Sequence, residues 1–206
     1  MGRSTPTPGS DALLVVGLRN PGQDYQGTRH NVGGAVVEAF ASELSFKRAP
    51  RRILAEIVET EISGKSVVLA LPMTFMNESG GPVSGLVKYF KVDGTRLVLV
   101  HDDIDMPFGK LRFQSGRSSG GHNGVGAVMR ALGSEEVWRL KLGVGRPPGR
   151  VDPADFVLRS FAVKERKDVA LMIGEAEKVL RIFVEDGGDR ARQEAGEATR
   201  RLGIAE

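Results

Sequence analysis

The chain is continuously apolar from Leu13 to Val16, carries on through Gly17 to Leu18, and then breaks at Asn20-Pro21-Gly22, a pattern that predicts a buried strand ending in a turn. Val32, Val36, Val37, Phe40 and Leu44 recur at helical spacing, so a helix should follow with His30 at or near its start. The period then changes. Leu54 to Glu61 alternates apolar with polar, Ser63-Gly64-Lys65 supplies a turn, and Val67 to Leu71 is apolar again, which predicts a hairpin whose second strand runs into Met73-Thr74-Phe75-Met76-Asn77. Val83, Leu86, Val87 and Phe90 predict a second helix, with Ser79 as its cap and Pro82 in its first turn.

Arg96 to Val100 reads as another buried strand that delivers His101-Asp102-Asp103 at its end. A Gly- and Ser-rich loop, Ser115 to Gly121, leads to a short helix over Val125 to Leu132 and a strand over Trp138 to Val144. Val163 to Val184 is an amphipathic helix stopped by Gly187-Gly188. Alternating strands and helices predict an α/β fold: one domain over 11–188, a mixed twisted sheet with helices on both faces, and a ligand crevice at the strands' carboxyl ends. Residues 1–10, rich in Pro, Thr, Ser and Gly, read as a flexible tail, and 189–206 as a charged tail with marginal packing.

Composition narrows the chemistry. With 206 residues, 40% of them hydrophobic, the chain can bury one good core. The net charge of +3 is a weak hint of an anionic partner, but Arg139, Lys141, Arg146 and Arg150 fall in a stretch without acidic residues that could face phosphates. There is no cysteine, which removes thiolate nucleophiles and cysteine-ligated metals and suits a reducing compartment, so the cytoplasm is the expected location. The N-terminal residues lack the apolar region of a signal peptide, and no apolar run reaches the ~20 residues that span a bilayer.

All three histidines lie in polar clusters at predicted strand ends: Asn20 to Asn31, and His101 through Asp105 to Asn123. His30 suits a general base, since an imidazole with a pKa near ~6.5 can take and return a proton at neutral pH. Asp102 could orient it and stabilise the imidazolium. Without a nucleophile-elbow serine or any cysteine, a His-Asp pair would activate water. Asn20, Asn77 and Asn123 offer neutral amides that can grip an ester or peptide unit, although asparagine is also a common turn residue. A divalent-metal site from His101, Asp102, Asp103, Asp105 and His122 is the rival arrangement, disfavoured because neighbours on a strand point to opposite faces. The loop Gly116 to Gly124 matches neither phosphate-binding glycine fingerprint.

In order along the chain stand GLRNPG, Tyr25, TRHN, TFMN with Ser79-Gly80, HDDIDMPFG and GGHNG. Together, over roughly Leu13 to Phe183, they resemble the bacterial-type peptidyl-tRNA hydrolases. The resemblance implies hydrolysis of the ester between a peptide and the terminal ribose of tRNA, by a monomer, with no cofactor and no metal; a non-catalytic RNA-binding relative of the same fold is the alternative. It implies that His30 is the water-activating base, that Asp102 keeps it basic, and that Asn20 helps tell N-blocked substrates from free aminoacyl-tRNA. Tyr25, Phe75, Met76, Asn77 and Asn123 match positions that contact or line the site of the tRNA end and peptide, while His122, Arg139 and Lys141 are looser matches near the tRNA backbone. The chain departs from the family pattern at Arg19, usually glycine, in the less glycine-rich Arg117-Ser118-Ser119, and at Gln114, where many relatives carry lysine.

Overall fold

β1 (Leu13–Gly17) is buried on both sides because it lies at the centre of the sheet, and this explains its unbroken apolar run. In the computed structural model, which describes residues 12–147 and 149–204, β1 runs parallel to both neighbours, β4 (Lys65–Pro72) and β5 (Leu97–Asp103). β4 forms the expected hairpin with β3 (Ala55–Ile62), and β3 carries the short edge strand β2 (Lys47–Arg48). On the other side β5 pairs in parallel with β7 (Trp138–Gly143), which pairs antiparallel with β6 (Leu111–Ser115). The seven strands are ordered β2-β3-β4-β1-β5-β7-β6, the mixed sheet expected.

Alternate strand residues feed two separate cores. Val15, Leu69, Val98 and Val100 face a layer made by α1 (Val32–Ala41), α5 (Arg166–Asp186) and α6 (Gly188–Leu202). Leu14, Val16, Val68 and Leu99 face α2 (Gly80–Phe90) and α3 (Asn123–Leu132). A short helix α4 (Pro153–Val157) lies outside both cores, before α5.

Two expectations are corrected. The expected tail at 189–206 is not marginally packed over its described residues, which end at 204: Gly188–Leu202 is helical, and Ala191, Ala195 and Ala198 are buried against α5 and β6. Those alanines recur every turn, but their small side chains leave the segment's hydropathy low. Ser79 precedes α2 without capping it, because its Oγ donates to Met76 O at 2.8 Å. The proposed tail at 1–10 lies outside the described residues.

The approach of α1 to the sheet sets the site. A Cβ on Gly33 would stand 2.1 Å from Val100 O, so only glycine lets the start of α1 press against the carboxyl end of β5. That contact brings the turn before α1 to the strand end that carries Asp102.

Candidate active site

His30 lies in a 3₁₀ turn, Arg29–Asn31, and its Nδ1 is 2.8 Å from Asp102 Oδ1. His122, the residue before α3, puts Nε2 3.0 Å from the same oxygen, while its Nδ1 accepts from Val125 N–H at 3.2 Å. This fixes the tautomers by bookkeeping. Nδ1 of His122 accepts, so its Nε2 bears the hydrogen that goes to Asp102. His30 likewise donates from Nδ1, and its Nε2 keeps a free lone pair on the cleft side. His101 donates from Nδ1 to the backbone oxygen of Asp102 at 2.7 Å, and its ring meets that of His122 edge-on at 4.6 Å. Every histidine of the chain converges on one aspartate.

Burial of Asp102, which is 2% exposed, would raise its carboxyl pKa. The positive potential and hydrogen bonds of His122, joined by those of His30, outweigh burial and hold it well below the usual carboxylate range. The pKa of His101 is lowered too, but here that favours the neutral form: burial first, then the neighbouring His122, outweigh Asp102 and keep it well below the ordinary imidazole value, so the ring stays neutral. His30, Asp102 and His122 bring possible metal-ligating atoms within 4.8 Å of one another. Hydrogen bonding already accounts for that spacing. The rival metal set does not assemble, since Asp103 pairs with Lys141 and Asp105 with Arg146.

Asn20, just past β1, is 6% exposed and doubly held. The Asn31 side chain receives Asn20 N–H at 2.8 Å and donates to Asn20 O at 2.9 Å. Asn20 Oδ1 accepts from Met76 N–H at 2.8 Å, which commits the oxygen and leaves the Nδ2 donors for a ligand. Met76 is buried beneath Gly124 of α3, where a Cβ would sit 2.4 Å from its sulfur. His30, Asn20, Met76, Asn77, Asn123 and the Ser119–His122 loop line one cleft of about 540 Å3. Phe75, 51% exposed, packs edge-on against Tyr25 with ring centres 6.1 Å apart, at the start of the turn that carries Met76 and Asn77.

Two buried arginines hold the cleft's walls. Arg29 donates to the carbonyls of Arg159 at 3.3 Å and Ser160 at 2.9 Å, grips both Glu165 oxygens at 2.9 and 2.8 Å, and stacks near Phe156 and Phe161. It thereby ties the turn that carries His30 to the 153–158 wall. Arg139, fully buried, donates to the carbonyls of Gly116, Arg117 and Ser118 and so shapes the opposite loop. The expectation that Arg139 faces phosphates is therefore corrected, because its guanidinium is spent on backbone oxygens. Lys141 is mostly buried and bound to Asp103, so it offers no free cation. Arg19 turns away from the cleft to Glu38 at 2.6 Å and Glu56 at 2.9 Å. Sequence reasoning missed Arg29 although it sits inside the TRHN motif.

The profile of the family described as peptidyl-tRNA hydrolase matches residues 14–201. The chain belongs to this family. A peptidyl-tRNA hydrolase of Kineococcus radiotolerans is 47% identical over 193 residues, 89% of this chain and 96% of its own length. One from Mycobacterium avium is 44% identical over 184 residues, 89% of this chain and 96% of its own. The crystal structure of the Acinetobacter baumannii peptidyl-tRNA hydrolase is similar with a TM-score of 0.81 at 29% identity, covering 94% of this chain and 97% of that one. The match is to the bacterial-type family, and it extends through α6, which the motifs alone did not reach.

Proposed function

We propose that the cleft hydrolyses the ester between a peptide and the terminal ribose of tRNA, with His30 as base and Asp102 as its orienting carboxylate. The observation that carries this reading is the 2.8 Å contact from His30 Nδ1 to a buried, ionised Asp102, which leaves Nε2 free toward the cleft. His30 Nε2 takes a proton from water as the water oxygen attacks the ester carbonyl. The tetrahedral intermediate then expels the ribose oxygen, which takes that proton back from His30, giving free tRNA and a peptide carboxylate. Asp102 stays ionised throughout and stabilises the imidazolium.

Asn20 Nδ2 donates to the carbonyl of the substrate's first peptide unit, a group that a free aminoacyl ester lacks. Tyr25, Phe75, Met76, Asn77 and Asn123 contact the terminal nucleotides or the peptide, and His122 holds Asp102 in place. Phosphate contacts come from Arg112 and Arg117, which are exposed, rather than from the buried Arg139. The chain works as a monomer in the cytoplasm and without a metal. Among the described residues no helix is long and apolar enough to cross a membrane.

The test is hydrolysis of N-acetyl-aminoacyl-tRNA by purified protein with a chelator present, compared with His30→Ala. Turnover that survives chelation and disappears in the variant supports the reading. Turnover lost on chelation would replace it with a metal-dependent one, and retained binding without turnover would leave the non-catalytic alternative.

A further inference from the structure

The turn between β2 and β3 carries two arginines in a backbone conformation that suits glycine. Ile53 N–H donates to Pro50 O at 3.2 Å and closes a four-residue turn whose central residues, Arg51 and Arg52, have φ of 54° and 58°. Positive φ at both central positions is the geometry in which Asn-Gly is the favoured pair. A side chain there works against the contact between Cβ and the following carbonyl. The turn is nonetheless well anchored. Ile53 lies over Gly85 of α2, where a Cβ would meet it at 3.2 Å, and the Arg51 guanidinium stacks on Tyr89 at 5.4 Å. Arg48 and Arg52 are exposed, and neither has a carboxylate partner among the described residues. The nearest acidic side chains along β3 are already engaged: Glu56 by Arg19 at 2.9 Å and Glu59 by Lys47 at 3.3 Å.

Register sets where this charge lies. Ala55 pairs with Pro72, the last residue of β4, and Met73 N–H donates to Leu54 O at 2.9 Å. The turn therefore stands at the end of the sheet from which β4 enters the cleft through Met76 and Asn77. β2 is two strands from β4, a lateral distance of roughly 10 Å. A nucleic-acid stem carries about one charge per 1.7 Å of axis, so a stem leaving the cleft brings several phosphates within that distance. Guanidinium groups match phosphate oxygens in a two-point fork.

We infer that Arg48, Arg51 and Arg52 form a contact surface for the phosphate backbone of the RNA whose end occupies the cleft. This surface lies at the β2 edge of the sheet, whereas Arg112 stands on β6 at the other edge. Two side chains held where glycine would fold more easily trade backbone ease for charge, which an ordinary solvated turn would not need. The inference rests on the reading that the substrate is a tRNA ester.

The experiment uses the full chain and deacylated tRNA, with affinity followed against salt. Arg52→Gly should raise the melting temperature, because it relieves the turn. It should also weaken tRNA binding by roughly three- to tenfold near ~0.1 M salt and flatten the salt slope by about one counterion. Arg48→Gln, in extended backbone, should weaken binding without the gain in stability. In both variants the ratio of kcat/KM on N-acetyl-aminoacyl-tRNA to that on a short acceptor-end oligonucleotide ester should fall. Unchanged affinity and slope in both variants would overturn the surface. So would displacement of tRNA by polyglutamate as effective as by tRNA itself, which would point to an acidic protein. A wild type that binds tRNA through these residues yet hydrolyses nothing would count against the proposed reaction and leave the surface standing.

Discussion

Asp102 Oδ1 accepts from His30 and from His122 at once, at 2.8 and 3.0 Å, so the second imidazole holds the carboxylate that orients the first. His30→Ala removes the base and should lower kcat by ~10²- to 10⁴-fold while tRNA affinity stays nearly constant. Asp102→Asn should cost less, because an amide oxygen can still receive Nδ1–H and keep the tautomer. Single-turnover rates with the three proteins test this order. A His30→Ala enzyme with most of its rate would refute the assigned base.

Selectivity should reside in Asn20. Its oxygen is committed to Met76 N–H, so only the Nδ2 donors can meet the substrate. A peptide carbonyl satisfies them, whereas the ammonium of a free aminoacyl ester is another donor, and a buried group left unsatisfied costs about 1–3 kcal/mol. Asn20→Asp keeps the bond to Met76 and replaces the donor with a negative charge. It should narrow the ratio of kcat/KM for N-acetyl-aminoacyl-tRNA over aminoacyl-tRNA by roughly ten- to a hundredfold. An unchanged ratio would reduce Asn20 to a turn residue.

Stability should fall in mild acid because of His101. Burial depresses its folded-state pKa, so below about 6.5 the unfolded chain binds a proton that the native chain refuses. The native state then loses about 1.4 kcal/mol per pH unit as pH drops from ~6.5 toward the depressed value. Asp102 acts in a lower window: its contribution is complete above about 3.9 and is lost as pH falls below that. Denaturant unfolding between pH 7.5 and 5 should show a shallower pH dependence in His101→Asn than in the wild type. Parallel curves would exclude His101 as the source.

Breaking the Arg29 clamp should loosen one wall without touching the proton chemistry. Arg29→Lys offers one nitrogen where the guanidinium uses two, Nη2 for both Glu165 oxygens and Nη1 for the carbonyls of Arg159 and Ser160, and loss of a buried pair costs about 3–5 kcal/mol. Glu165 is partly solvated, so the low end is expected. Hydrogen exchange across 153–161 should quicken, and KM should rise more than kcat falls. Glu165→Gln should do the same more mildly. Exchange unchanged in both variants would contradict the clamp.

The elements with strong periodicity, from the first strand to the long helix before Gly187, were legible in the sequence, and so was the convergence of His30, Asp102 and Asn20. Strand order was not, because nothing local says that β1 inserts between β4 and β5. β6 escaped notice because it is short and shows only Leu111 and Phe113 to the core. The two buried arginines were illegible for a different reason. Their acceptors are mostly backbone carbonyls 21 to 131 residues away, which a side-chain pattern cannot reveal, so Arg139 read as an exposed cation. The role of His122 was half visible: its motif stood out, but its bond to Asp102 required the loop to fold back.

β6 is the last strand of its sheet, and the N–H and C=O of Leu111 point outward, away from β7. The Thr199 hydroxyl of α6 takes both, accepting from Leu111 N–H at 2.9 Å and lying 3.2 Å from Leu111 O. The C-terminal helix is thus a guard on an open sheet edge, where a bare strand would recruit the edge of another molecule. A chain ending at Asp186 would keep every group of the cleft and still be expected to self-associate as concentration rises, so freedom from edge-to-edge pairing is expected to depend on a helix that contributes nothing to the cleft lining.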